Sequence, residues 1–110
     1  MAKEPTAQPL IRITNQFRKR DAMVYDLSGE GVRLTIQMTP RQGGDGLGEW
    51  TVEAHAHEAP EMPTVAAPGS TRNDALRSVA TTWGAKQGTF GFPRLDWEAV
   101  AQALLAVRAI

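Results

Sequence analysis

The sequence predicts an α+β domain in which an antiparallel sheet of three to five strands carries two C-terminal helices packed on one face. Residues 32–38 and 50–56 alternate between apolar and polar side chains. Alternation with a period of two is typical of strands that have one buried and one wet face. Apolar residues then return with helical spacing over residues 75–83 and again over residues 97–107. Strands followed by helices in a chain of 110 residues indicate one small domain.

The N-terminal part is predicted to contain a leader and two strands. Residues 1–9 hold two prolines and mostly small or polar side chains, and we interpret them as a disordered leader to a single domain over residues 10–110. The β-favouring residues at 10–14 predict a short strand. Residues 22–27 predict a second strand, with Met23, Tyr25 and Leu27 facing inward. Two glycines in residues 28–31 predict the turn into the next strand.

The middle of the chain is predicted to form the next hairpin and a short edge strand. A proline at residue 40 ends the strand, and the glycines of residues 43–48 predict a mobile loop. Simple antiparallel pairing across this loop puts Arg33 opposite His55 and Thr35 opposite Glu53. Two further prolines follow, and residues 64–67 predict an edge strand, where proline is tolerated.

Capping residues set the expected helix ends. A hydroxyl at Ser70 or Thr71 can cap the first helix, and Gly84 is predicted to end it. The second helix is predicted to begin near Asp96, a good N-cap residue. We expect the three tryptophans at positions 50, 83 and 97 to pack in the core, since each falls on the apolar face of its element.

Composition restricts the classes of protein that the chain can belong to. There is no cysteine, which excludes disulfides and thiolate zinc sites and is typical of a reducing compartment. No apolar run reaches about 18 residues, and the N-terminus is polar, so we expect a soluble cytoplasmic protein without a membrane partner. A net charge of zero argues against a dedicated binder of phosphate backbones.

The charges are unevenly distributed along the chain. Residues 1–41 hold seven basic and four acidic side chains, and residues 42–110 hold five and eight. Most of the basic excess lies near the N-terminus, and the candidates for contact with nucleic acid or a ligand are Arg12, Arg18, Lys19, Arg20 and Arg33. The ring of the adjacent Phe17 could stack on a base while Arg18, Lys19 and Arg20 contact phosphates. The alternative is a solvated loop at residues 18–20, with Phe17 in the core.

Glu53, His55 and His57 alternate along one strand and so share its polar face. Imidazole and carboxylate groups are metal ligands and general acid/base groups. Three alternate residues spread over about 13 Å, however, so only two could share one ion. The sequence therefore predicts neither a metal site nor a bound cofactor, and we expect a solvated face rather than an enzyme active site.

Two short patterns resemble known families. Residues 26–31 read Asp-Leu-Ser-Gly-Glu-Gly, which resembles the D-x-S-x-x-G motif of PilZ domains and implies binding of cyclic di-GMP. The family also uses an arginine pair spaced R-x-x-x-R, whereas this chain has Arg-Lys-Arg at residues 18–20. The order strand, strand, short strand, helix over residues 32–84 resembles HicB-type antitoxin domains and double-stranded RNA-binding domains. Arg72 and Arg77, with Asp74 between them, are the charged residues at the start of that helix.

Together these observations predict a small non-enzymatic binding or regulatory module that acts through a protein partner or by self-association. The alternative is a nucleic-acid or nucleotide-binding domain that uses the basic N-terminal segment.

Overall fold

A computed structural model of the chain describes residues 11–29, 32–40, 49–57, 64–90 and 95–110. Five antiparallel strands form one sheet in the order β1-β2-β3-β4-β5, and two helices follow. The elements are β1 (Arg12–Lys19), β2 (Ala22–Gly29), β3 (Val32–Pro40), β4 (Trp50–Ala56), β5 (Val65–Gly69), α1 (Arg72–Phe90) and α2 (Trp97–Ala106). The predicted α+β class is confirmed. The predicted leader and the predicted glycine-rich loop lie outside the described residues.

One face of the sheet forms the core beneath the helices. Tyr25, Ile36, Ala54 and Val65 are paired across four neighbouring strands, and all are buried. Alternate residues of a strand point to opposite faces, so the apolar residues of each predicted strand all point to the core. Helix α1 packs against β4 and β5, while α2 reaches β1. Burial of the larger aliphatic side chains among them, Ile36 and Val65, contributes about 1.5–3 kcal/mol each to the free energy of folding.

The first strand differs from its prediction. The chain is extended from Arg12 to Lys19 and pairs along the whole of β2, with a bulge at Thr14. Seven of its eight residues are exposed. A strand with both faces in water needs no apolar alternation. The end of β1, residues 18–20 with the turn, was therefore interpreted as a basic loop.

The pairing of β3 with β4 also differs from the prediction. Thr35 lies opposite His55 and Gln37 opposite Glu53, while the backbone N–H of His57 donates to the carbonyl of Arg33. The predicted register was wrong by two residues. A shift of two leaves every side chain on the same face, so hydrophobic alternation cannot distinguish the two registers.

The caps of both helices are as predicted, but the end of α1 is not. The hydroxyl of Thr71 accepts a hydrogen bond from the N–H of Asp74, and the carboxylate of Asp96 accepts from Glu98 and Ala99. Helix α1 continues through Gly84 to residue 90. Gly84 is exposed, and a mid-helix glycine costs only about 1 kcal/mol, which the rest of the helix can offset.

The three tryptophans differ in depth. Trp83 is 1% exposed, and its ring meets Trp97 in a T-shaped contact with centroids 5.7 Å apart. Trp97 is half-buried against the core, as is Trp50, over which the guanidinium of Arg72 lies at 4.9 Å from the ring centroid. Within the described residues, neither helix is long and apolar enough to span a bilayer.

Candidate functional site

The face of the sheet opposite the helices, here called the open face, carries all the polar candidates except Arg18 and Arg20. The strand pairing determines which residues lie on this face, because alternate residues of a strand point to the same side. The open face comprises Arg12, Asn15, Phe17 and Lys19 of β1; Ala22, Val24, Asp26 and Ser28 of β2; Arg33, Thr35, Gln37 and Thr39 of β3; Thr51, Glu53 and His55 of β4 with the adjoining His57; and Ala66 and Pro68 of β5. Mixed charge and one aromatic ring give it the composition of a recognition surface rather than of a core.

A short hydrogen-bonded chain crosses the middle of this face. The hydroxyl of Thr35 donates to Oδ1 of Asp26 at 2.8 Å, and Nε2 of His57 lies 2.5 Å from the same hydroxyl oxygen. Because a hydroxyl has one proton and Thr35 gives it to Asp26, His57 must donate its own Nε2–H to Thr35. The proton of Thr35 therefore points away from the imidazole. This is the reverse of what a base needs to activate a hydroxyl nucleophile.

The three polar residues proposed from β4 do not converge. Glu53 lies opposite Gln37, whereas His57 lies beside Arg33, so the strand spreads them over three pairs. The rings of His55 and His57 are tilted, with centroids 6.3 Å apart. Among the described residues, no three His, Cys, Asp or Glu side chains are grouped so that they could hold a metal ion.

The five basic candidates are divided among three places. Arg12 and Arg33 both lie opposite Ser28, from the two sides, at one end of the open face. Lys19 is at the other end of that face, with Arg20 in the β1–β2 turn, while Arg18 pairs with Met23 and so points to the helix side. The sequence suggested one basic segment, but alternation along β1 separates its members.

Phe17 corrects the prediction that it lies in the core. It pairs with Val24 on the open face and is 42% exposed. Sequence reasoning named Phe17 as a possible stacking ring but favoured the core, because β1 was predicted to end at residue 14. Residues 15–19 carry no apolar alternation that could have extended the predicted strand.

The residues that resemble the PilZ motif are only partly described. Asp26 and Ser28 both point to the open face of β2, while residues 30 and 31 lie outside the described part of the chain. Asp26 accepts the hydroxyl of Thr35, and Ser28 lies between Arg12 and Arg33. Binding of cyclic di-GMP stays a prediction from that resemblance.

A cleft of about 360 Å³ separates the two helices. Leu76 and Ala80 of α1 and Trp97 of α2 line it, with Arg77 and Glu98 at its rim. The indole N–H of Trp97 is buried and has no hydrogen-bond partner. Since the rim has one cation and one anion, the cleft selects no ligand charge.

Comparisons of this chain with protein-family models, with curated proteins and with solved structures find no match. The resemblances to PilZ, HicB-type and double-stranded RNA-binding domains therefore stay predictions.

Proposed function

We propose that the domain is a non-enzymatic binding module of the cytoplasm that acts through a protein partner, an extended segment of which adds to the free edge of β1. The observation that carries this proposal is the exposure of a full-length terminal strand. Only one edge of β1 pairs with a strand, and the other faces no strand among the described residues. A row of unpaired N–H and C=O groups is a template for another strand.

The two ends of the sheet are not equivalent as docking edges. Strand β5 has five residues, includes Pro68 and leads almost directly into α1, which packs on it. Strand β1 has eight residues and no proline, giving a pairing length of about 26 Å. The long edge of the sheet is therefore the one that supports strand addition.

Charge favours a partner over a second copy of this chain. Residues 12–20 contain Arg12, Arg18, Lys19 and Arg20 and no acidic residue. Antiparallel self-pairing centred on β1 would place Arg12 opposite Lys19 of the other copy, and like charges directly opposite are destabilising. An acidic extended segment is complementary at the same positions, so it supplies both the backbone pairing and the charge.

The hydrogen-bond order on the open face supports a non-enzymatic role. The Thr35 hydroxyl is turned toward Asp26, and the nearby His57 is exposed rather than enclosed in a pocket. General acid/base groups usually work in sites that exclude water and perturb their protonation. The cytoplasmic location rests on the absence of cysteine from the chain.

Hydrogen exchange on the full chain tests strand addition directly. The probe is a short extended peptide rich in Glu, Val and Thr, and the matched control peptide has each Glu replaced by Lys. We expect the acidic peptide to slow exchange at alternate amides of residues 12–19, because only alternate N–H groups point away from β2. The lysine peptide is expected to have no effect.

Charge-reversal variants distinguish binding at the edge of β1 from nonspecific electrostatic attraction to the protein. Arg18→Glu should lower the affinity for the acidic peptide at least about tenfold, because one charge pair is lost and a repulsion is gained. Arg77→Glu makes the same charge change on the exposed side of α1 and should leave the affinity within about twofold.

Three results would contradict the proposal. One is protection of helix amides without protection of β1, and another is equal loss of peptide binding in the two reversed variants. The third is submicromolar binding of an oligonucleotide near about 150 mM salt, abolished in a folded variant with Arg18, Lys19 and Arg20 replaced by alanine. That third result would make nucleic acid the primary ligand.

A further inference from the structure

The open face has a concave site at its β1–β2 hairpin end. A depression of about 470 Å³ is lined by Lys19, Arg20, Asp21, Ala22, Gln37 and Thr39. This volume lies within the usual range for small-molecule sites, about 300–1,000 Å³. The lining combines two cations, Lys19 and Arg20, with the carboxylate of Asp21 and two neutral hydrogen-bonding side chains. Its net charge is positive, which suits a ligand that has an anionic end and a polar ring.

An exposed aromatic ring flanks the depression. Phe17 is 42% exposed and lies two residues before Lys19 on the same face, about 7 Å along the strand. Beside it, Val24 and Ala22 are each 4% exposed, although neither of the two described helices lies on this face. Phe17 thus stands next to a small apolar floor. A nucleobase can stack on such a ring, whatever its identity.

The turn places a cation where the backbone favours glycine. Arg20 has a φ of 58°, in the left-handed region, which is energetically unfavourable for most residues. Glycine adopts this conformation without that cost. Arg20 nevertheless carries a large charged side chain at this position, with Lys19 as its neighbour in the depression.

We propose that this depression, here called the hairpin site, binds one nucleoside phosphate. The base stacks on Phe17, Gln37 and Thr39 supply hydrogen bonds to its edge, and Lys19 and Arg20 hold the phosphate. The carboxylate of Asp21 can accept a ribose hydroxyl. The proposal goes beyond strand addition, because it uses side chains on the open face and not the backbone edge of β1.

The surrounding charges favour a single nucleotide over a polymer. Among the described residues, the next charged side chains on the open face beyond the hairpin site are Asp26 and Glu53. Both would repel a second phosphate. With Asp21 counted, the two cations leave a single net positive charge, which suits one phosphate group, whereas polymer binding needs a continuous line of cations.

Titration of the full chain with each of the four ribonucleoside 5′-monophosphates tests the proposal. Backbone amide chemical shifts are followed at fixed ionic strength, with ligand up to about 5 mM, so that a Kd of about 1 mM is measurable. We expect at least one monophosphate to saturate with a Kd below about 1 mM. The shifts should centre on Phe17, Ala22 and Gln37.

Variants separate binding from folding. Phe17→Ala, Lys19→Gln and Arg20→Gly should each weaken binding about tenfold. Arg20→Gly removes the guanidinium while relieving the backbone, so it should bind less although its melting temperature stays equal or rises. Arg12→Gln makes the same charge change at the far end of the same face and should retain the parent affinity within about twofold.

Several outcomes would overturn the assignment. One is the absence of saturation by any of the four monophosphates. Another is an unchanged affinity of Phe17→Ala, which would show that the site binds an anion without stacking a base. Inorganic phosphate binding as tightly as the nucleotides would have the same meaning. Binding of a single-stranded oligonucleotide without binding of any monophosphate would identify a polymer surface instead.

Discussion

The two faces of the sheet are built by different forces. On the covered face, Ile36, Val52 and Ala54 are completely buried, and stability comes from apolar area and packing. On the open face, the central strands carry half-buried polar residues such as Asp26 and Thr35, which hydrogen-bond each other. One face therefore tolerates little change in volume, whereas the other tolerates change in shape and depends on individual polar contacts. Of the two faces of the described sheet, only the open face leaves side chains accessible, and the edge of β1 leaves backbone groups accessible.

The largest expected effect is on the covered side. Trp83→Ala should lower the free energy of unfolding by about 3–5 kcal/mol, because it removes a fully buried aromatic ring between helix and sheet. Urea denaturation measures the change. Phe17→Ala, the aromatic control on the open face, should cost less than about 1 kcal/mol, since Phe17 is 42% exposed. Similar costs for the two variants would show that the faces do not differ as described.

The sequence predicts the covered face well, because buried apolar residues recur along the chain with the period of the strand or helix that carries them. The alternation of residues 32–38 and the helical stripe around Trp83 led to the correct faces for both elements. The caps at Thr71 and Asp96 were also predicted, since capping depends on local chemistry. Long-range register was not, because a shift by two residues leaves the pattern unchanged.

The open face was harder to predict, because exposed positions carry no period. Strand β1 is polar on both sides, so its extension to Lys19 depends on pairing with β2 rather than on burial. That extension determines which basic side chains lie together, and it separates Arg18 from Lys19. Phe17 was predicted to be buried for the same reason. The candidate residues were therefore identifiable from sequence, but their grouping was not.

The next largest effect concerns the point where β5 meets α1. A Cβ on Gly69 would lie 2.2 Å from the backbone nitrogen of Ala75, which cannot move without shifting the helix. Gly69→Ala should therefore destabilise the fold by about 1–3 kcal/mol or more. Thermal unfolding monitored by circular dichroism measures the effect. Gly84→Ala is the matched control: its Cβ meets nothing within 4 Å, and the variant should be more stable by about 0.5–1 kcal/mol. Destabilisation by both would mean that α1 does not pack as described.

The smallest effect tests the open face itself. Thr35→Val keeps a β-branched shape suited to a strand but removes the hydroxyl that donates to Asp26 and accepts from His57. We expect a loss of about 1 kcal/mol in the free energy of unfolding, because the half-buried carboxylate of Asp26 loses a hydrogen-bond donor. Thr35→Ser retains the hydroxyl and should recover most of this loss. On the neighbouring covered-face position, Ile36→Val removes one methylene and should cost about 0.5–1.5 kcal/mol. If Thr35→Val is neutral while Ile36→Val is costly, the hydrogen-bonded chain contributes nothing to stability, and the open face is free to vary for recognition alone. If both cost about the same, one hydroxyl on the open face contributes as much as one methylene in the core, and residues that bind a ligand there must also preserve the fold.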